Sequence, residues 1–479
     1  MPEQKTKALL TIALWMAFVF IFVYSWVPGG LDFDSLNYAV AAKEIVRTNR
    51  WLAFFDPVYE GPFYYHFPLC IWVTALFFKW LGVSSFTAKL FSMITAVLAA
   101  ATIFFFGKLL KNVWVGFFAV ISFLITNHII RLSQECRMDL PVTFFITLAL
   151  LFFILAQRRS RLYYLLFGLA TCLAIFAKDI FGVFPLVIVF LYLVITFKFK
   201  ELIHPLFILG VLLAVLPVIG WIRLERLLYN QTIFYGWWYW NFLHLLKAKT
   251  FITVKYYYLW AIVTKYFYLL PFAIYGGYLV LKEALREKNK EGLILIIWVL
   301  IFPIAFSFGR QRLHYFILPI YAATAILCGI AFDKILKESI KLGVVKWTKY
   351  ILVFGTAALV CFPINYSGRR HREIIKIAPF VDEVLKQVPE FDFFAYRQGK
   401  EAMLFYLQQI SRVKNFGEKE LLEEHMLGDS KIPRICLIWE NDFKELGPSI
   451  QHSWQTIFEY NNLILISDQK RPACTIIIP

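Results

Sequence analysis

Four short polar groupings interrupt an otherwise apolar chain, and their residue types suit acid–base work and the binding of an anion. The first is Leu31-Asp32-Phe33-Asp34-Ser35, right after the first apolar run. A carboxylate half-shielded at a membrane interface can act as a general base. Asp and Ser also favour the cap position of a helix, and a helix-like run follows over 36–47. Asp32 is best explained by such a cap or by plain loop. The second grouping is Tyr64-Tyr65-His66-Phe67-Pro68-Leu69, where His66 either meets a phosphate or rests in an aromatic interfacial belt. The third is Arg131, Glu135, Arg137 and Asp139 before an apolar run, with Lys178 and Asp179 between two later runs. Asp139 at a helix start complements the helix dipole without any further role. Its alternative is an acid facing a cavity, and Lys178 with Asp179 reads equally as a local ion pair. The fourth runs from Ser307 to Pro319 and holds Arg310, Arg312, His314 and Tyr315. Guanidinium forks match phosphate oxygens, although arginines also snorkel to lipid head groups.

The elements that must position these residues are membrane helices. The chain has 479 residues, 60% of them hydrophobic, with 50 Phe, 25 Tyr and 15 Trp. Soluble domains carry roughly 45–50% apolar residues. The apolar runs have the length that crosses a bilayer core of roughly 30 Å. Spans are expected at 8–27, 86–107, 113–129, 139–156, 162–177, 180–197, 204–222, 259–281, 292–308, 313–332 and 347–364. That makes about 11 transmembrane helices. The first run lacks a small-residue cleavage site and reads as a retained helix rather than a signal peptide. The run 67–81 is short and closed by Lys79, so it is expected to lie at the interface.

Charge supports this threading. With Lys5 and Lys7 inside and 67–81 not crossing, every strongly basic short loop lands on one side. These hold Lys108 and Lys111, then Arg158, Arg159 and Arg161, then Lys198 and Lys200. They continue with Lys282, Arg286, Lys288 and Lys290, and with Lys334, Lys337, Lys341, Lys346 and Lys349. Positive loops stay cytoplasmic, so the N-terminus is expected inside. The four polar groupings then fall on the opposite side. The net charge of +17 follows from this topology and does not indicate a nucleic-acid partner. From about residue 366 the pattern changes to strand-like alternation, as in 391–396 and 434–439, around a helix-like stretch 401–410. That reads as a small extracytoplasmic α/β domain over 366–479, after a transmembrane domain over 1–365. Cys436 and Cys474 would be able to pair there. No zinc spacing and no phosphate-binding GxxxxGK[ST] loop occurs.

The groupings, in this order, resemble the GT-C superfamily of membrane glycosyltransferases. The resemblance is to the branch of lipid A aminoarabinose transferases and protein O-mannosyltransferases, and covers residues 8–330. The family's first loop has an Asp-Glu pair, then Arg-Tyr-Ala and a Gly-Asp-Trp turn. Asp34-Ser35-Leu36-Asn37-Tyr38-Ala39 and Asn49-Arg50-Trp51 take those places, with Ser35 for the Glu. A Tyr, Glu-Lys-Pro-Pro-Leu and Trp pattern is matched by Tyr65-His66-Phe67-Pro68-Leu69 and Trp72, with His66 for the Lys and Tyr65 for the acid. Asp139 after its Arg-bearing loop, Lys178 in place of a Lys-Gly pair with Asp179 for the Gly, and Ser307, Arg312, Tyr315 and Leu318-Pro319 complete the match. A basic contact in the 223–258 loop has four candidates: Arg223, Arg226, His244 and Lys247.

The resemblance implies an inverting transfer of a sugar from a polyprenyl phosphate to an envelope acceptor at the outer face of the cell inner membrane. Lipid A of lipopolysaccharide is the expected acceptor, with protein O-glycosylation as the alternative. Asp34 would be the catalytic base. His66, Lys178, Arg312 and Tyr315 would bind the donor phosphate, supported by Asp139, Arg137 and Tyr65. No nucleotide is expected, and the chain is expected to act as a monomer. The cofactor is left open: Asp34, Asp139 and Asp179 would hold a divalent cation if they converge, and no metal ligand is assigned. A lipid or ion transporter is the competing reading from another class. It would call for charges deep in the spans and repeated halves, and the sequence offers few of the former and no sign of the latter.

Overall fold

The computed structural model describes residues 3–25, 31–52, 55–63, 66–229, 256–286, 289–308, 312–341, 371–388, 390–430 and 432–468. The chain forms two compact units. One comprises Met1–Val27, Phe63–Thr74 and Ala88–Tyr366; the other comprises Pro28–Pro62, Ala75–Thr87 and Ser367–Pro479. The expected span 347–364 lies outside the described residues, as do Tyr65, His244, Lys247 and Cys474.

The first unit is helical. Its helices include α1 (Glu3–Ser25), α4 (Ser85–Leu110), α5 (Val113–Leu124), α6 (Asn127–Ser133), α7 (Asp139–Arg158), α8 (Tyr163–Lys178) and α9 (Phe184–Ile195). Further helices run over Pro205–Tyr229, Tyr257–Tyr266, Leu270–Arg286, Leu293–Ser307 and Ile320–Lys341. Among the described residues four stretches are long and apolar enough to cross a membrane: Ser85–Leu110, Asp139–Arg158, Tyr163–Ile195 (interrupted by a 3-10 turn) and Pro205–Leu228. Along the last of these Ile208, Leu209, Leu212, Leu213, Leu216 and Ile219 are exposed, the surface that a lipid-facing helix shows. The run 67–81 forms a helix of 13 residues, α3 (Leu69–Leu81).

Two expected spans are bent rather than straight. The stretch 113–129 is α5 and α6, meeting at 67°, and 259–281 is a helix pair meeting at 109°. Pro271 explains the second break, because a ring nitrogen without a hydrogen opens a helix and cannot continue one. The breaks are keyed together: the Tyr268 hydroxyl donates to the Ile125 carbonyl at 2.8 Å and accepts from Asn127 N–H at 3.4 Å. Carbonyls and amides released at the bends are thereby satisfied inside the protein, which a lipid environment requires.

Small residues set the helix spacing around the polar cluster. A Cβ added at Gly168 of α8 would lie 2.0 Å from the Gly210 carbonyl oxygen, so α8 and the helix 205–229 pack backbone to backbone. α8 ends at Lys178, and Asp179 takes a left-handed φ of 39°. The chain then turns so sharply that a Cβ at Gly182 would meet the Ile175 nitrogen at 2.1 Å.

The second unit contains α2 (Phe33–Thr48), a short ribbon of β1 (Phe55–Asp56) and β2 (Gly61–Pro62), and a five-stranded sheet. The sheet strands are β3 (Asp392–Tyr396), β4 (Lys414–Phe416), β5 (Arg434–Trp439), β6 (Gln455–Tyr460) and β7 (Leu463–Ser467), in the order β4-β3-β5-β7-β6. β3 pairs in parallel with β4 and β5, whereas β7 runs antiparallel to β5 and β6. Phe394, Cys436, Ile438, Ile464, Ile466 and Trp454 build its core, and Cys436 is fully buried there. The strand–helix–strand reading of 391–439 therefore matches a sheet covered by helices over Arg372–Gln387, Lys400–Tyr406 and Lys419–Leu427.

Candidate active site

In the first unit the polar groups gather where α8 ends. Asp139, at the first position of α7, is 2% exposed, and Lys178, at the last position of α8, is 6% exposed. The Lys178 ammonium donates to Asp139 Oδ1, and Arg137 Nε donates to Asp139 Oδ2 at 2.9 Å. Burying charge is costly unless it is paired and hydrogen-bonded, and this triad meets both conditions. Two cations thus share one carboxylate. Aromatic faces complete the setting. The Arg137 guanidinium lies 4.3 Å from the Tyr315 ring centre, and the Lys178 ammonium lies 4.4 Å from that of Phe181 and 5.3 Å from that of Tyr315. Ser92 Oγ donates to the Arg137 carbonyl at 2.9 Å and fixes the loop that carries the arginine.

The residue after Lys178 organises the other side. Asp179 is 1% exposed; its Oδ2 lies 2.5 Å from His66 Nδ1, and its Oδ1 accepts from the Phe67 amide at 2.9 Å. Its left-handed backbone turns the carboxylate back onto the segment 66–67. The Cys70 thiol donates to the Ala177 carbonyl at 3.4 Å, so α3 too is tied to the end of α8. Behind them Trp72 packs edge-on to Trp221 at 5.0 Å. Glu225, one helical turn beyond Trp221, is 9% exposed and drew no attention in the sequence, where it stands between two arginines in an apolar run.

Of the predicted site residues, then, Arg137, Asp139, Lys178 and Tyr315 meet in one cluster, and His66 joins the neighbouring Asp179. Arg312 is half-buried at the mouth of the helix 320–341, and its guanidinium donates to the Ser307 carbonyl at 3.4 Å. Tyr65 lies outside the described residues. Asp34 belongs to the second unit, in the first turn of α2. Asp32 is the cap of that helix, as its residue type suggests, with Oδ1 accepting from Ser35 N–H at 2.8 Å. Among the described residues no three His, Cys, Asp or Glu side chains stand together as a metal site. The carboxylates of Asp139 and Asp179 are instead engaged by Arg137, Lys178 and His66.

The chain is similar to several known proteins. A family profile described as dolichyl-phosphate-mannose-protein mannosyltransferase matches residues 65–221, which include His66, Asp139 and Lys178. The undecaprenyl phosphate-alpha-4-amino-4-deoxy-L-arabinose arabinosyl transferase of Aeromonas hydrophila is 24% identical over 357 residues. That alignment spans 69% of this chain and 61% of the relative, less than two thirds of its length. The crystal structure of ArnT from Cupriavidus metallidurans bound to undecaprenyl phosphate superposes with a TM-score of 0.75 at 15% identity, over 98% of this chain and 99% of that one. The Archaeoglobus fulgidus oligosaccharyltransferase, tethered with an acceptor peptide, gives a TM-score of 0.60 at 11% identity, over 98% of this chain and 74% of that one. With its apolar helices and small C-terminal sheet, the chain shares the fold of the ArnT structure, and its segment 65–221 is similar to the mannosyltransferase family.

Proposed function

We propose that the protein transfers a sugar from a polyprenyl phosphate to an envelope glycolipid, with lipid A as the acceptor, at the outer face of the inner membrane. The observation that carries this reading is the buried triad of Arg137, Asp139 and Lys178 with His66 and Asp179 beside it. Ammonium, guanidinium and imidazole donors gathered at one helix end suit a phosphate, whose oxygens accept charge-assisted hydrogen bonds. Two of the proteins resembled carry undecaprenyl phosphate in their names: one in its donor, the other as bound ligand.

In the proposed reaction the donor phosphate rests against Lys178, His66, Arg312 and Tyr315, while Arg137 and Asp139 hold Lys178 in place. Asp34 takes the proton of the acceptor hydroxyl or phosphate. The acceptor oxygen attacks the anomeric carbon from the side opposite the phosphate, the carbon–oxygen bond to phosphate breaks, and polyprenyl phosphate leaves. The configuration inverts. A positioned base contributes about 10²–10⁴-fold, and stabilising the departing phosphate charge supplies much of the rest. The orientation with the N-terminus in the cytoplasm rests on the one-sided distribution of basic loops.

Mass spectrometry of envelope lipids from cells with and without the protein tests the reading. A sugar-sized increment present only with the protein supports it, and identical lipids contradict it. The family profile is that of a protein mannosyltransferase, which favours one second reading: the same chemistry with a polypeptide hydroxyl as acceptor. That reading predicts glycosylated protein alongside unchanged lipids.

A further inference from the structure

The second unit holds the proposed base by an arrangement that the reaction scheme does not use. α2, which carries Asp34 in its first turn, is gripped at two points by the segment 404–407. At its start, Leu31 N–H donates to the Tyr406 hydroxyl at 3.3 Å. Twelve residues further on, the Lys43 ammonium donates to the carbonyls of Leu404 and Leu407, each at 2.7 Å, and of Phe405 at 3.3 Å. These are carbonyls at the end of the helix Lys400–Tyr406, which lack helical partners and favour a cation. The next two residues are held from the other side. Asp382 accepts from Gln408 N–H at 2.9 Å and from Gln409 N–H at 3.0 Å. Phe405 is 1% exposed, packs against Phe78 at 6.2 Å, and anchors the turn in apolar surroundings.

A lysine needed only for solubility keeps its head in water. This one points three donors at three carbonyls of one turn, and so fixes the direction of α2 as well as its depth. We propose that Lys43 and Tyr406 are positioning residues for Asp34, so that the C-terminal α/β domain works as the jig that aims the first turn of α2. The inference rests on the assignment of Asp34 as the base.

The test uses the full-length protein with Lys43→Met, Lys43→Arg or Tyr406→Phe. Three quantities are read: amide hydrogen exchange of residues 31–38, binding of undecaprenyl phosphate, and formation of the sugar-modified lipid. A misaimed base costs about 10–100-fold in turnover, since small displacements of a reacting group are expensive. We expect Lys43→Met and Tyr406→Phe to raise exchange in 31–38 and to lower product by that factor, with undecaprenyl phosphate affinity unchanged. Lys43→Arg, which keeps a cation with several donors, should recover most of the product. Wild-type exchange in 31–38 together with wild-type product in Tyr406→Phe and Lys43→Met would overturn the proposal. Slower turnover accompanied by equally weakened undecaprenyl phosphate binding would also overturn it, because it marks general damage. An Asp34→Asn protein that still transfers sugar overturns the assignment of the base itself, whatever the exchange data show.

Discussion

The ammonium of Lys178 rests on the carboxylate of Asp139, joining the last residue of one membrane helix to the first residue of another. Both ends are buried, and Arg137 completes the pair from the loop before α7. Removing Asp139 would leave two cations without their shared anion in a dry setting. Breaking such a buried pair from one side costs about 3–5 kcal/mol. Asp139→Ala should therefore lower the thermal midpoint of the detergent-solubilised protein sharply, while Lys178→Met, which leaves the Arg137–Asp139 pair intact, should cost less. Light-scattering or fluorescence melting of the two variants beside the wild type checks this ordering.

His66 holds Asp179 at 2.5 Å and is the side chain of that pair with more access to solvent. Under the proposed scheme it also meets the donor phosphate. His66→Ala is expected to weaken undecaprenyl phosphate binding by about tenfold, equivalent to ~1.4 kcal/mol. Titration of the purified protein with the lipid, before any sugar acceptor is added, measures it. Unchanged affinity would remove His66 from the phosphate site.

The packing of α8 on the helix 205–229 makes a separate prediction. Because a Cβ at Gly168 would stand 2.0 Å from a backbone oxygen, Gly168→Ala must force the helices apart. Overpacking of this kind costs about 1–3 kcal/mol. Gly220 lies on the same helix 205–229 with nothing within 4 Å of the added carbon, so Gly220→Ala should be neutral or mildly stabilising. Equal melting of the two variants would contradict the close approach.

How much of this was legible in the sequence differs by element. The early charge that closes the run 67–81 agrees with a helix of only 13 residues, whereas the sidedness expected from the basic loops rests on charge alone. The cap at Asp32 followed from residue type alone. The two bent helix pairs were hidden because hydropathy averages over Ile125–Asn127 and over Phe267–Leu269 without seeing direction. Pro271 was the signal available for the second of them. His66 and Asp179 are separated by 113 positions, so their pairing was not readable from spacing, although each was already a candidate. Lys43 gave no signal at all: a lysine on an amphipathic helix looks solvated, and its carbonyl partners lie more than 360 positions away.

The burial of Lys43 has a consequence for pH. Desolvation lowers its ammonium to about 8 from the ordinary 10.5, with Asp382 and Glu44 opposing and Arg47 reinforcing the shift. The cost of keeping it charged is fully present below about 8. Between about 8 and 10.5 the unfolded chain binds this proton more tightly than the folded one, so folding gains stability as pH rises. Lys43→Met has no such dependence. The melting midpoint of wild type minus that of Lys43→Met should thus increase from pH 7 to pH 9.5, and a constant or falling difference would contradict the burial.

Asp34 is the residue on which the proposed chemistry turns, since a carboxamide of the same shape cannot accept the acceptor's proton. The most direct measurement is sugar transfer by purified Asp34→Asn protein in lipid membranes, followed by mass spectrometry of the acceptor lipid. With undecaprenyl phosphate binding and melting behaviour unchanged, the account predicts a loss of transfer of about 10²-fold or more. Transfer at the wild-type rate would contradict it.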